Sequence, residues 1–137
     1  MKYFIFITAI VFFNTTINAQ QKQRRIIFDM AGSDTADHNA IIRQVNNVLK
    51  NAPDAKIEVV FHGRAVYALI TNKTTIKEKI DDLVKNKNIV FAACNNSLNQ
   101  LNLSKDDVIS SAIVVPVAVL ELTDKQEHGW SYIKAGH

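Results

Sequence analysis

Short apolar runs alternate along the chain with longer amphipathic segments. Four runs rich in β-branched and aromatic residues are typical of strands: RRIIFDM at 24–30, KIEVVFHG at 56–63, NIVFAAC at 88–94 and AIVVPVAV at 112–119, the last ending near Pro116. Their interiors are nearly continuously apolar, as expected of strands that are buried on both faces. The pattern therefore predicts a mainly parallel sheet.

The segments between the runs have helical periodicity. Apolar positions three or four residues apart predict a helix over 36–51, with Asp34 or Thr35 as its N-cap and the residue before Pro53 as its end. A second helix is predicted within TTIKEKIDDLVKN, where Thr75 and Glu78 have capping-box spacing. Alternation of strands and helices predicts a single three-layer α/β/α domain.

Three further segments complete the predicted organisation. RAVYALIT at 64–71 is compatible with a short helix or a strand, and NNSLNQLN at 95–102 with a short helix. The final segment, AVLELTDKQEHGWSYIKAGH, is predicted to close the chain as a helix. The sequence contains no internal repeat, no linker and no low-complexity tract.

The first 19 residues have the composition of a secretory signal peptide. One lysine precedes an apolar stretch from Tyr3 to Phe13, and a polar segment follows up to Ala19. The apolar stretch is too short to span a hydrocarbon core of about 30 Å as a helix, so no stable membrane span is expected. We predict residues 1–19 as a signal peptide and residues 20–137 as the mature domain, in a periplasmic or secreted location.

Charge and cysteine usage narrow the classes of function. The formal charge is +3, and it falls to +2 when the signal peptide removes one lysine and no acid. No long basic stripe remains, so nucleic-acid binding is not predicted. A single cysteine in an exported chain cannot form an internal disulfide. It is therefore buried, paired between chains, or a free thiol with a function.

Cys94, the only cysteine, lies where NIVFAAC meets the polar run NNSLNQL. Ligands collect at the carboxyl ends of parallel strands, and the amides and positive dipole end of a following helix stabilise a thiolate. His62 and Gly63 end the preceding predicted strand and could bring a donor or a positive charge close to the thiol. Strand-end cysteines are also common as inert core residues, so the residues alone leave both interpretations open.

Other chemistries have weaker support in the sequence. DMAGSD follows a strand but has one glycine and no lysine, unlike a phosphate-binding loop, and there is no G-x-S-x-G elbow. A cysteine hydrolase would have its Cys–His pair, but no orienting acid is identifiable. Asp29 is compatible with a site carboxylate and equally with a capping or edge role. The spacings of Cys94 and the histidines match no zinc pattern, so no metal site is predicted.

Three blocks together resemble the DsrE/DsrF-like family of small sulfur-relay proteins: FHGRAVYALI, VFAACNNSLNQLNLSKDDVI and VVPVAVLELTDKQEHGWSYIKAGH. The family pattern is a strand ending in His-Gly, a strand ending in Cys-x-Asn-[Ser/Thr]-Leu, a Val-Val-Pro strand, and a final helix ending in Gly-[Tyr/Trp]-x-Tyr-Ile-Lys. The resemblance extends from Arg25 to the carboxyl end. It implies a flavodoxin-like three-layer fold with a mostly parallel sheet of about five strands, assembled into trimers or hexamers.

The resemblance also implies a persulfide chemistry for the thiol. The family cysteine, which carries sulfur in the better-studied members, corresponds to Cys94. The amide and hydroxyl after it correspond to Asn96 and Ser97, the His-Gly pair to His62 and Gly63, and the glycine and aromatics of the last block to Gly129, Trp130 and Tyr132. Sulfur-relay members are usually cytoplasmic, whereas this chain carries an export signal, so any partner is expected outside the cytoplasm.

Three hypotheses follow for the function. The leading one is an exported sulfur-binding or sulfur-transfer protein, with a sulfur donor or acceptor protein or a small sulfur compound as partner. Cys94 would carry the sulfur, amides around Asn95 to Ser97 would stabilise the anion, and His62 would be a donor or proton shuttle. Thiol exchange of this kind requires no external cofactor. The second is a non-catalytic oligomeric binding module with a structural cysteine. The third is a redox-sensing thiol that pairs between chains.

Overall fold

A computed structural model describes residues 23–136 of the chain. The elements, in chain order, are β1 (Arg25–Met30), α1 (Thr35–Asn51), β2 (Lys56–Phe61), a 3-10 helix (Gly63–Leu69), α2 (Lys77–Leu83), β3 (Ile89–Cys94), α3 (Asn95–Gln100), a 3-10 helix (Lys105–Asp107), β4 (Ile113–Val115), α4 (Ala118–Glu127) and β5 (Ser131–Ala135). The predicted cleavage after Ala19 lies outside the described residues. Within the described part, none of the helices has the length and apolar character needed to cross a membrane.

The five strands form one parallel sheet in the order β4-β3-β2-β1-β5. Successive strands from β1 to β4 lie side by side, and the chain then returns across the sheet to place β5 on the other side of β1. Flavodoxin has the order 2-1-3-4-5, so the layers are shared with flavodoxin and the strand order is not. The predicted three-layer α/β architecture is confirmed.

Alternate residues of the strands enter two cores on opposite faces of the sheet. The larger core joins side chains such as Phe28, Phe61 and Phe91 to α1, the first 3-10 helix, α2 and α3. The smaller core joins Ile27, Val60, Ala92, Cys94 and Val115 to Ala118 and Leu122 of α4. Cys94 therefore points toward the face of the sheet that α4 covers.

The end of the chain differs from its prediction. The final segment was predicted to be one helix, but α4 ends at Glu127 and residues Ser131–Ala135 form β5. Gly129 has φ +78°, a conformation that glycine adopts most readily and that interrupts the helix. The following residues pair with the open edge of β1, with Ile27 opposite Tyr132. Backbone pairing with a distant strand thus determines the structure of this segment.

Two local predictions are also corrected or resolved. The Thr75–Glu78 capping box is wrong, because α2 begins at Lys77 after Ile76 and no side chain caps it. The ambiguous segment after His62 is a 3-10 helix whose apolar side chains are buried in the larger core. The N-cap prediction for α1 holds for Asp34, whose carboxylate accepts a hydrogen bond from the Asp37 amide at 2.7 Å.

Candidate functional site

The carboxyl ends of β3 and β4 lie at a point where the chain leaves the sheet in two directions. After β3 the chain enters α3, whose Leu98 packs in the larger core, and after β4 it enters α4 on the opposite face. Such a switch point opens a crevice between two loops and is the usual ligand position in open α/β sheets. Cys94 is the last residue of β3, and Ala118 is the first residue of α4.

Hydrogen bonds converge on the sulfur of Cys94. The Ala118 amide donates to Sγ at 3.3 Å, and the Ser97 hydroxyl donates to the same sulfur. Burial raises the pKa of the thiol, but these donors outweigh it, so the pKa of Cys94 lies below its ordinary value. The residue is only 3% exposed, and this access is through the crevice. The site thus combines a stabilised thiolate with restricted access.

The starts of α3 and of α4 both contribute to this stabilisation. Cys94 makes no regular capping hydrogen bond to α3, and the Asn96 amide is directed at the carbonyl oxygen of Pro116 at 3.2 Å. The amides of Ser97 and Asn96 in α3 nevertheless lower the pKa of Cys94, as the Ala118 amide does. The Ala118 amide belongs to the first turn of the longer helix α4 and makes the direct bond. Sequence reasoning missed Ala118, because strand order is needed to place β4 beside β3.

Gly63 positions the Ser97 hydroxyl. Its amide donates to Ser97 Oγ at 2.8 Å, which leaves the hydroxyl proton for the thiol. Gly63 has φ +54°, a region in which side chains other than glycine are strained. A chain of donors therefore runs from the Gly63 amide through the Ser97 hydroxyl to Cys94.

A cavity of about 240 Å³ opens beside the thiol. Five of the predicted site residues line it together: His62, Gly63, Cys94, Asn96 and Ser97. Asn95 is half-buried and is not among the lining residues, which also include Gln100 and the Val117–Val119 segment. Larger grooves of about 340, 430 and 520 Å³ lie elsewhere on the described part of the chain, but no thiol lines any of these three.

His62 belongs to a second set of hydrogen bonds at the same edge of the sheet. Strand β2 pairs directly with β3, with Phe61 opposite Ala93, so His62 follows immediately beside Cys94. Its Nε2 is 2.7 Å from Asp29 Oδ1, and the Tyr132 hydroxyl donates to Asp29 Oδ2 at 2.6 Å. This hydrogen bond raises the pKa of Tyr132. Asp29, which the sequence left open as a site carboxylate, thus joins His62 and Tyr132 through hydrogen bonds.

No metal-binding cluster of histidine, cysteine and carboxylate side chains occurs among residues 23–136. The donors around Cys94 are hydroxyl and amide groups, which suit an anionic sulfur rather than a cation. The fold and site therefore define a class: a parallel α/β domain with a hydrogen-bonded thiol at its topological switch point.

Comparison with known proteins identifies the family to which the chain belongs. The model of the DsrE/DsrF-like family matches residues 3–135, nearly the whole chain, and the chain belongs to this family. No curated protein matches the chain.

Two solved structures are similar in fold. A protein of unknown function, MTH1491 from Methanobacterium thermoautotrophicum, has a TM-score of 0.77 and 25% sequence identity, and the match covers 82% of this chain and 99% of that one. The ychN protein of E. coli has a TM-score of 0.65 and 11% identity with the same coverage, and this second likeness shows the fold alone.

Proposed function

We propose that the chain is an exported sulfur carrier that holds a sulfane sulfur as a persulfide on Cys94. The observation that carries the proposal is the hydrogen-bonded sulfur: Ser97 and Ala118 lower the pKa of Cys94 in spite of its burial. A thiolate is the form of cysteine that attacks a sulfur–sulfur bond. Membership of a family with a sulfur-relay type of fold supports the same chemistry.

The donors around Cys94 suit both steps of a carrier's cycle. In loading, the Cys94 thiolate attacks the outer sulfur of a donor persulfide, and the donor leaves as a thiol. In discharge, an acceptor thiolate attacks the outer sulfur on Cys94, and the Cys94 thiolate is the leaving group. Because hydrogen bonds stabilise that thiolate in both directions, the sulfur can be accepted and released without a cofactor.

Intact-mass analysis after incubation with inorganic polysulfide tests the proposal. The natural chain should gain the mass of one sulfur atom, and Cys94→Ser should gain none. A gain in both proteins, or in neither, would contradict carriage on Cys94. A Cys94-dependent dimer on a non-reducing gel, without sulfur uptake, would instead support a redox-sensing thiol.

The 3% exposure of Cys94 favours a second candidate, a binding module in which the cysteine is structural. In that case the cavity beside it would hold a small ligand or a partner peptide, and the thiol would not react. Iodoacetamide distinguishes the two functions: modification of the folded protein at neutral pH supports the carrier, and modification that requires unfolding supports the binding module.

Assembly and location belong to the same proposal. Val119 and Leu120 at the start of α4 are 68% and 59% exposed, and Val119 lines the mouth of the thiol cavity. Exposed apolar side chains beside a site are typical of interfaces, which supports a homo-oligomer. The family resemblance implies that this oligomer is a trimer or hexamer. We propose that the oligomer acts in the periplasm or outside the cell. N-terminal sequencing of the protein from its native host should find Gln20 first.

A further inference from the structure

Three adjacent strands place a tyrosine, an aspartate and a histidine in one hydrogen-bonded row. Tyr132 lies on β5, Asp29 on β1, and His62 directly after β2. The Tyr132 hydroxyl is 2.6 Å from one carboxylate oxygen of Asp29, and His62 Nε2 is 2.7 Å from the other. The Asp29 side chain is 15% exposed and that of His62 is 34% exposed, so the row is partly shielded and ends at the thiol cavity.

The hydrogen bonds determine which nitrogen of His62 holds a proton. Asp29 as a carboxylate can only accept, so Nε2 of His62 must donate to it, and Tyr132 donates from the other side. Nδ1 is then the ring nitrogen that exchanges a proton with groups in the cavity. Asp29 is hydrogen-bonded to this ring, Lys134 pairs in register with Asp29 on β5, and Cys94 lines the same cavity as His62.

His62 and Cys94 share the cavity, but each is held by other partners. Cys94 Sγ accepts from Ala118 and Ser97, whereas His62 Nε2 bonds to Asp29. The thiolate is therefore stabilised by its own donors. In its imidazolium form His62 also carries a proton on Nδ1, which it can give to an atom that occupies the cavity between the two residues.

We infer that His62, fixed by Asp29 and Tyr132, is the acid that protonates the departing thiolate when a sulfane sulfur passes to Cys94. This inference rests on the proposed carrier function. His62 is a catalytic residue in it, and Asp29 and Tyr132 are positioning residues. An oriented carboxylate stabilises the imidazolium and holds the ring in one tautomer, as in other His–Asp pairs.

The step balances without an oxidant or reductant. The Cys94 thiolate attacks the outer sulfur of a donor R–S–SH, a new S–S bond forms, and the bond between R–S and the outer sulfur breaks. The electron pair leaves on R–S⁻, which takes the proton from Nδ1 of His62 and departs as R–SH. His62 keeps its Nε2 proton toward Asp29 and regains the Nδ1 proton from solvent.

The role of His62 as an acid can be tested with donor persulfides whose leaving thiolates differ in basicity. An alkyl thiolate leaves slowly unless it is protonated, whereas an acidic aryl thiolate leaves without a proton. We expect Asp29→Asn to slow sulfur uptake from an alkyl persulfide by about tenfold or more and to leave uptake from an aryl persulfide nearly unchanged. Tyr132→Phe should show the same dependence with a smaller loss. Asp54→Asn, at an exposed loop carboxylate, is the matched control.

The outcomes separate this inference from the function on which it rests. If the natural protein takes up sulfur from neither donor, the carrier function fails. If it takes up sulfur and Asp29→Asn slows both donors equally, or neither, the assignment of His62 as the leaving-group acid is overturned. Tyr132 is 40% exposed, so Tyr132→Phe keeps the test valid even where Asp29→Asn does not fold. In both variants the pH dependence of Cys94 alkylation should match that of the natural protein.

Discussion

At the scale of single residues, burial and hydrogen bonding have opposite effects on the pKa of Cys94. Removal of Cys94 from water disfavours its charge, and Ser97 and Ala118 favour it. The donors prevail because each can be aimed at one atom by the fold: Ser97 through the Gly63 amide, and Ala118 through the start of α4. The loss of one of these donors should therefore change the pH dependence of the reactivity of Cys94.

Ser97→Ala should make Cys94 less reactive at neutral pH. Loss of the hydroxyl donor destabilises the thiolate, so the midpoint of iodoacetamide reactivity against pH should rise by about one pH unit, which corresponds to about 1.4 kcal/mol. Ser110→Ala, at an exposed position outside the site, is the control and should not change the midpoint. An unchanged midpoint in Ser97→Ala would show that the hydroxyl does not act on the sulfur.

Gly63 should tolerate substitution poorly for conformational reasons. A Cβ there would meet no atom within 4 Å, but φ is +54°. Gly63→Ala is therefore expected to cost about 1 kcal/mol in the free energy of unfolding through backbone strain alone. Gly63→Asn should cost less, because asparagine accepts the left-handed region more readily. Urea denaturation measures both, and equal losses would argue against strain as the cause.

At the scale of elements, apolar periodicity predicted most helices and strands well. The four apolar runs correspond to β1–β4, and the helix predicted over 36–51 corresponds to α1 at Thr35–Asn51. The fifth strand was missed because Ser131–Ala135 is mostly exposed and lacks a continuous apolar run. Its structure depends on pairing with β1, in which Ile27 lies opposite Tyr132. Local sequence patterns do not encode a contact between residues so far apart in the chain.

Both ends of helix α4 make polar contacts with the sheet. Toward its C-terminal end, Lys125 and Glu121 form a charge cluster with the buried Glu58. Glu58 on β2 is 2% exposed, and its carboxylate accepts a hydrogen bond from Lys125, which also lies 3.3 Å from Glu121. Burial raises the pKa of Glu58 against the pull of Lys125. The near end of α4 donates to Cys94 through Ala118. The same helix therefore contacts the charge cluster near one end and the thiol at the other.

Lys125→Met should destabilise the fold strongly. The substitution leaves the buried Glu58 without its cation. We therefore expect the free energy of unfolding to fall by about 3 kcal/mol. Lys85→Met removes an exposed pair with Asp82 and should have little effect on the free energy of unfolding. Chemical denaturation compares the two variants, and similar losses would contradict a structural role for the buried pair.

At the scale of the whole molecule, topology explains why the site was only partly predictable. The sequence identified Cys94 and His62 because both end apolar runs. It did not place Asp29, Tyr132 or Ala118 beside them, because that requires the strand order β4-β3-β2-β1-β5. Residues far apart in the chain meet at one edge of the sheet, and no local spacing records this.

The proposed oligomer makes a further prediction at this scale. Leu120→Glu places a charge in the exposed apolar surface of α4 and should convert the assembly to monomers. Asn47→Glu introduces the same charge at an exposed position of α1, on the opposite side of the sheet, and should leave the assembly intact. Light scattering coupled to size exclusion measures the mass. A natural chain that is monomeric would contradict the oligomer directly.

Sulfur counting on the loaded protein tests the central claim most directly. The natural chain is incubated with polysulfide, freed of excess reagent, and analysed by peptide mass before and after addition of a small acceptor thiol. The account predicts one extra sulfur atom, confined to the peptide that contains Cys94, which disappears as the acceptor persulfide forms. Extra sulfur on another peptide, or sulfur on Cys94 that the acceptor cannot remove, would contradict a carrier role.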